Sequence, residues 1–129
     1  MSLDLATLLA SQRAIGVARA DYDFARDGGA LYNCAVSSEI VPSGSIVLGY
    51  VVYTSAAIAP SGSAVLSFTL AGRVLAVASV TLGDIVAALL TGVAAPVTDG
   101  ARAIEGYISG APITAGAAIV WFFYLPTIG

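Results

Sequence analysis

Apolar residues along this chain fall in short runs, several of them alternating, separated by glycine, proline and serine, the signature of strands joined by turns. Between Arg13 and Arg26, Ile15 and Val17 and then Tyr22 and Phe24 occupy alternate positions. Asp27-Gly28-Gly29 ends that run as a turn, because glycine admits the positive φ that a tight reversal needs. Leu31–Val36 and Glu39–Val41 are the next strand-like stretches. Further strands are predicted over Ile46–Ser55, Ala64–Leu70, Val74–Val80, Arg102–Ser109 and Ala117–Tyr124. Within Leu48–Thr54, Tyr50 and Val52 share one face while Val51 and Tyr53 share the other. Both faces are apolar, so both are expected to be covered.

The turns carry a local repeat. Pro42-Ser43-Gly44-Ser45-Ile46-Val47-Leu48 returns as Pro60-Ser61-Gly62-Ser63-Ala64-Val65-Leu66. In each copy proline presets φ for the first corner and glycine supplies the second. Two copies predict consecutive turn–strand units of an antiparallel meander, since a solenoid needs at least three repeats. One stretch reads as a helix. Gly83–Leu90 places Ile85, Ala88 and Leu89 on one stripe, Asp84 suits the first turn through the macrodipole, and Gly92 suits the position after the last turn. Met1–Gln12 accommodates a short helix with Leu5, Leu8 and Leu9 at helical spacing, and an extended arm fits equally well. The expected architecture is all-β: a single-domain antiparallel β-sandwich, jelly-roll-like, with one short helix and an N-terminal arm. Residues 1–20 form the arm or short helix, and 21–129 the sandwich domain.

Composition changes the question from fold to surroundings. The 129 residues are 58% hydrophobic and only 10% charged, against about 25% charged in an average domain. A chain of this length buries roughly two-thirds of its unfolded surface, so the apolar excess must meet a membrane or other protein subunits. The longest apolar run, Val74–Val97, is broken by Gly83, Gly92 and Pro96 and carries Asp84 near its middle. An aspartate there costs about 2.5–3.5 kcal/mol in a bilayer, and Ala117–Leu125 is far short of the roughly 20 residues of a span. The eight acids and five arginines, with no lysine, give a net charge of −3. That balance argues against a nucleic-acid partner and against a basic membrane anchor. Cys34 is the one cysteine, which excludes an internal disulfide and fits synthesis in a reducing cytoplasm. Met1–Ala10 has no basic leader and carries Asp4, so no signal peptide is expected.

Chemistry is sparse. There is no histidine and no lysine, which removes the usual general base, the commonest metal ligand and Schiff-base chemistry. No catalytic residue, cofactor or metal is therefore expected. Asp21, Asp23 and Asp27 open like a calcium loop, but Ala25, Arg26 and Tyr32 stand where ligands or glycine belong; surface aspartates around a turn explain them. Asp84, Asp99 and Glu105 show no spacing that favours a glycosidase pair. Cys34 reads as a small buried residue with no basic neighbour, and Ser43, Ser45, Ser61 and Ser63 as turn residues. The remaining distinctive feature is Ile119-Val120-Trp121-Phe122-Phe123-Tyr124, apolar on both faces. It is either a central strand covered twice within one domain or a strand with one face in the core and one against another subunit.

Tyr22-Asp23-Phe24-Ala25-Arg26-Asp27-Gly28-Gly29-Ala30 resembles the opening of small virion proteins of tailed phages. Ile40-Val41-Pro42-Ser43-Gly44-Ser45-Ile46, Ser61-Gly62-Ser63-Ala64 and Ile113-Thr114-Ala115-Gly116-Ala117 are similar to their later turns, with Ala117 where lysine is common. The resemblance, over most of Tyr22–Tyr124, is to capsid decoration or cement proteins. It implies a β-sandwich, non-enzymatic homotrimer on the outer surface of an icosahedral capsid, bound to the major capsid protein and bridging capsomers. Its low lysine content and the extension Met1–Arg19 depart from that pattern. Leu5, Leu8, Leu9, Arg13, Arg19, Trp121 and Phe123 are the interface residues this reading expects, with the arginines as carboxylate partners. A fibre base or host-surface adhesin, or a small membrane protein, are the alternative readings.

Overall fold

The alternation in the sequence becomes two antiparallel sheets packed face to face. The computed structural model describes residues 15–70, 73–89 and 101–125. In chain order the elements are β1 (Gly16–Asp23), α1 (Phe24–Asp27), β2 (Tyr32–Cys34), β3 (Ser37–Ser38), β4 (Ile40–Val41) and β5 (Ile46–Ala59). They continue with β6 (Val65–Leu70), β7 (Arg73–Val77), β8 (Ile85–Leu89), β9 (Arg102–Ser109) and β10 (Ala115–Leu125). The first sheet runs β3-β1-β10-β5-β8; the second runs β2-β9-β6-β7, with β4 also paired to β9.

Every second residue of the central strands enters one core. Ala18, Ala20 and Tyr22 of β1, Ala118, Val120 and Phe122 of β10, and Val47 and Val52 of β5 meet Leu66, Phe68 and Leu70 of β6 and Ile104 and Ile108 of β9. The larger of these side chains each contribute about 1.5–3 kcal/mol on burial. Three small alanines, Ala18, Ala20 and Ala118, pair with the larger Phe122, Val120 and Tyr22, so that small and large side chains alternate in the core. Buried hydroxyls are satisfied locally: Thr54 Oγ1 donates to the Ser79 carbonyl at 2.6 Å and Ser45 Oγ to the Pro42 carbonyl at 2.7 Å. Among the described residues no buried side-chain nitrogen or oxygen lacks a partner.

The structure departs from the sequence reading in four places. The described part of Gly83–Leu90, residues 83–89, is not a helix. Ile85–Leu89 is β8, paired antiparallel to Gly49–Tyr53 of β5. Asp84 accepts a hydrogen bond from Ser79 Oγ at 2.7 Å in a turn instead of opening a helix, and the Asp84 carbonyl accepts from Thr54 N. Five apolar residues fit either period, and the long β5 ladder supplied partners that a lone helical turn lacks. The short helix lies instead at Phe24–Asp27, where Asp23 Oδ1 caps the Ala25 N–H at 2.9 Å and Gly28 (φ 78°) leads out.

The repeated turns do not build a meander. Pro42–Ser45 carries the chain from β4, paired to β9, into β5 of the first sheet, and Pro60–Ser63 carries it from β5 into β6 of the second. Both copies mark crossings between layers. Only the first has glycine in the left-handed region, at Gly44 (φ 76°); the second adds a wider, helix-like bond, with Ala64 N donating to the Pro60 carbonyl at 3.0 Å. Lastly, Gly16–Ala20, expected in the arm, are strand β1, paired throughout with β10. No helix among the described residues is long and apolar enough to cross a membrane, a statement that concerns helices and not barrels.

Candidate interaction surface

Because β10 lies between β1 and β5, its inward residues are sealed and its outward residues join a broad face. Phe123 pairs in register with Val17 on one side and Gly49 on the other, and Gly49 with Leu89. The next row is Arg19, Trp121, Val51 and Ala87; the row after is Asp21, Ile119, Tyr53 and Ile85. Nine of these twelve positions carry apolar or aromatic side chains, and the charges sit only on β1. Val17 is 47% exposed, Ile85 66% and Leu89 83%, so the face ends at β8 in bare hydrocarbon. A solvent-facing sheet would alternate with polar residues here. Single exposed hydrophobes need no explanation, but contiguous ones mark a contact surface.

At one end of this face lies a hollow of about 460 Å³, lined by Ile15, Leu48, Gly49, Val51, Leu89 and Phe123 among others. Gly49 makes it possible, since a Cβ there would stand 2.6 Å from the Ala88 carbonyl oxygen. No charged residue lines the hollow.

The β1 end of the face is a small ionic knot. Arg26 Nη2 lies 2.8 Å from Asp21 Oδ1 and 2.7 Å from Asp27 Oδ2, while Arg19 reaches Asp21 at 3.5 Å. Asp27 also accepts from the Asp23 N–H at 3.0 Å. The hydrogen bonds from Arg26 hold the Asp27 carboxyl below its ordinary pKa and raise that of the guanidinium. Tyr22, buried beneath, donates its phenolic proton to the Gly28 carbonyl, and desolvation pushes its pKa up to about 12. The three aspartates therefore cap α1 and pair with arginine. Among the described residues no group of three or more His, Cys, Asp or Glu side chains could hold a metal ion.

Of the expected interface residues, Arg19, Trp121 and Phe123 come together on this face, with Arg19 directly opposite Trp121. The Arg19 N–H is held by Glu39 Oε1 at 2.7 Å. Leu5, Leu8, Leu9 and Arg13 lie outside the described residues, as does Asp99. Asp84 and Glu105 belong to different sheets, the first at the head of β8 and the second within β9. Cys34 is buried, its thiol pushed up by desolvation and 3.7 Å from the Asp27 carbonyl. Sequence reasoning missed Ile85, Ala87 and Leu89, because β8 was read as a helix. Val51 and Tyr53 were visible as the second apolar face of their strand, and that was the signal for the rest.

The sequence matches no protein-family model and no curated protein. Two solved structures share the fold. A chain of the acid-stable capsid of Helicobacter pylori bacteriophage KHP30 aligns with TM-score 0.58 at 11% identity, covering 88% of each chain. A chain of the cyanophage Pam1 capsid asymmetric unit aligns with TM-score 0.52 at 19% identity, covering 87% of this chain and 85% of that one. At such identities the likeness is one of fold.

Proposed function

We propose that this chain is a non-enzymatic virion protein, a cement or decoration subunit that binds the outer surface of an icosahedral phage capsid as a homotrimer. The observation that carries the reading is the apolar outer face of the first sheet, centred on Trp121 and Phe123. It is a surface built for protein contact, in a fold of which two examples come from phage capsids. The partners are sister subunits and the major capsid protein. Arg19 and the ionic knot at the β1 edge supply the polar rim that orients such an interface. Leu5, Leu8, Leu9 and Arg13 belong to the segment that precedes Ile15 in the chain, and they remain interface residues of this reading.

The mechanism is linkage. A ligand that binds only the assembled shell stabilises it by its binding free energy, and a subunit trimer touching several capsomers adds avidity. Clamping adjacent capsomers is then a matter of placing several weak contacts on one rigid sandwich. Sedimentation of the purified protein, alone and mixed with empty capsids, tests this. The expected result is a trimer that pellets with capsids; a monomer that stays in the supernatant would sink the proposal.

A further inference from the structure

β8 is the last strand of the first sheet, bonded among the described residues to β5 alone. Sheet edges are ordinarily guarded by charge, proline or a bulge. The opposite edge is guarded: β3 covers part of β1, which carries Arg19 and Asp21. Ile85-Val86-Ala87-Ala88-Leu89 has neither charge nor proline, and it pairs with β5 without a register shift. The direction of its free groups follows from alternation, since an antiparallel strand bonds to its two neighbours through alternate residues. Thr54 N donates to the Asp84 carbonyl at 3.1 Å, and the Thr54 carbonyl accepts from Gly83 N at 2.8 Å. Thr54, and with it Val52 and Tyr50, therefore bond toward β8. Their partners Val86 and Ala88 face β5, and Ile85, Ala87 and Leu89 turn N–H and C=O away from it. The other edge gives the same phase. Arg19 bonds outward to Glu39 through both its N–H and its carbonyl, and Arg19, Trp121, Val51 and Ala87 share a row.

We infer that β8 is a docking edge for a second copy of itself, two antiparallel β8 strands joining the first sheets of two subunits across a two-fold axis. With Ala87 opposite its own copy, Ile85 stands opposite Leu89, and each outward N–H meets a facing carbonyl. The side chains match as well. Ile85 and Leu89, 66% and 83% exposed, cover each other on the outer face, and the small Ala87 leaves room at the axis. On the other face Val86 meets Ala88, and the strand brings no like charges together. A three-fold ring joins two different patches, whereas β8 meets itself. The contact thus goes beyond the trimer proposed above, and where that trimer forms it links one trimer to the next. A strand of five residues makes a small interface, of the weak and concentration-dependent class.

Two measurements on the full chain test it. The first is amide exchange, read residue by residue at low and at high protein concentration. Val86 and Ala88, bonded to β5, should be protected at both. Ile85, Ala87 and Leu89 should exchange fast at low concentration and several-fold more slowly at high. Fast exchange of these three at both concentrations overturns the inference, as does their protection in copies that sediment unpaired. The second is sedimentation of Ala87→Pro. The lost N–H points away from β5, so proline is tolerated there, and the urea midpoint should stay close to that of the unaltered chain. The doubling of mass with concentration should disappear; a doubling that persists refutes the edge contact. The outcomes also separate this inference from the trimer. A trimer whose β8 edge amides stay unprotected removes the edge contact alone, and a dimer whose β8 edge amides are protected removes the trimer alone.

Discussion

The two sheets bury equivalent faces and differ in the composition of their outer ones. On the outer side of the second sheet Val65 pairs with Ser109, Val77 with Ser67 and Val74 with Thr69, so every valine has a hydroxyl across the ladder. Glu105 and Asn33 add further polarity, and the Tyr107 ring lies 6.0 Å from that of Tyr32, tilted by 47°. On the outer side of the first sheet Phe123, Trp121 and Ile119 pair instead with Gly49, Val51 and Tyr53. The core cannot explain this difference, since both sheets already have one face in it. A half-buried sheet is stable with a polar outer face, so folding alone does not call for an apolar one.

The sharpest way to break the comparison is to cut adjacent residues of β10. Phe122 is fully buried and packs edge-on against Tyr50 at 6.2 Å. Phe122→Ala should cost about 3–5 kcal/mol, seen as a lower urea midpoint. Trp121→Ser with Phe123→Ser should leave that midpoint far less changed. It should instead weaken self-association and capsid pelleting by more than about 30-fold, the loss of a hot spot worth at least 2 kcal/mol. Val74→Ser with Val77→Ser on the second sheet should change pelleting by less than about twofold. If the two double variants behave alike, the faces are not functionally distinct.

Smaller effects probe the polar end of the first sheet. Arg26 is half exposed, so Arg26→Gln should cost only about 1 kcal/mol near neutrality. The sign with pH follows from Asp27. Its folded pKa is depressed, so the stabilisation is present above the ordinary carboxylate pKa near about 4 and lost as pH falls further. The variant has less to lose, and its acid limb should be shallower in unfolding measured from pH 6 downward. Tyr22→Phe removes the hydrogen bond to the Gly28 carbonyl, for about 0.5–1.5 kcal/mol. Tyr22 is the opposite case: its folded pKa is raised to about 12, so its contribution is full below about 10 and lost as pH rises between the two. The alkaline decline of stability should lessen in Tyr22→Phe.

Much of the fold was legible because strands announce themselves locally. Arg102–Ser109 was read with the bounds the structure has, and Ile46–Ser55 and Ala117–Tyr124 proved a few residues longer. The period of two, with Tyr50 and Val52 on one side and Val51 and Tyr53 on the other, translated directly into core and outer face. The site was legible only in part. Trp121 and Phe123 were visible as residues with no polar alternation around them. Ile85 and Leu89 were not, because a five-residue apolar stretch fits a helix as well as a strand until something pairs with it.

What the sequence by itself determined was periodic and local: which stretches extend, and where Asp27-Gly28-Gly29 and the two Pro-Ser-Gly-Ser turns redirect the chain. Which strands are neighbours was decided by the tertiary structure. Val17, Gly49, Leu89 and Phe123 share one row although they span most of the chain, because register across a sheet is fixed by packing between distant segments and not by any window of sequence. That row turns separate apolar residues into one continuous face. The same long-range pairing made β8 a strand, and it turned the repeated turns into crossings between layers.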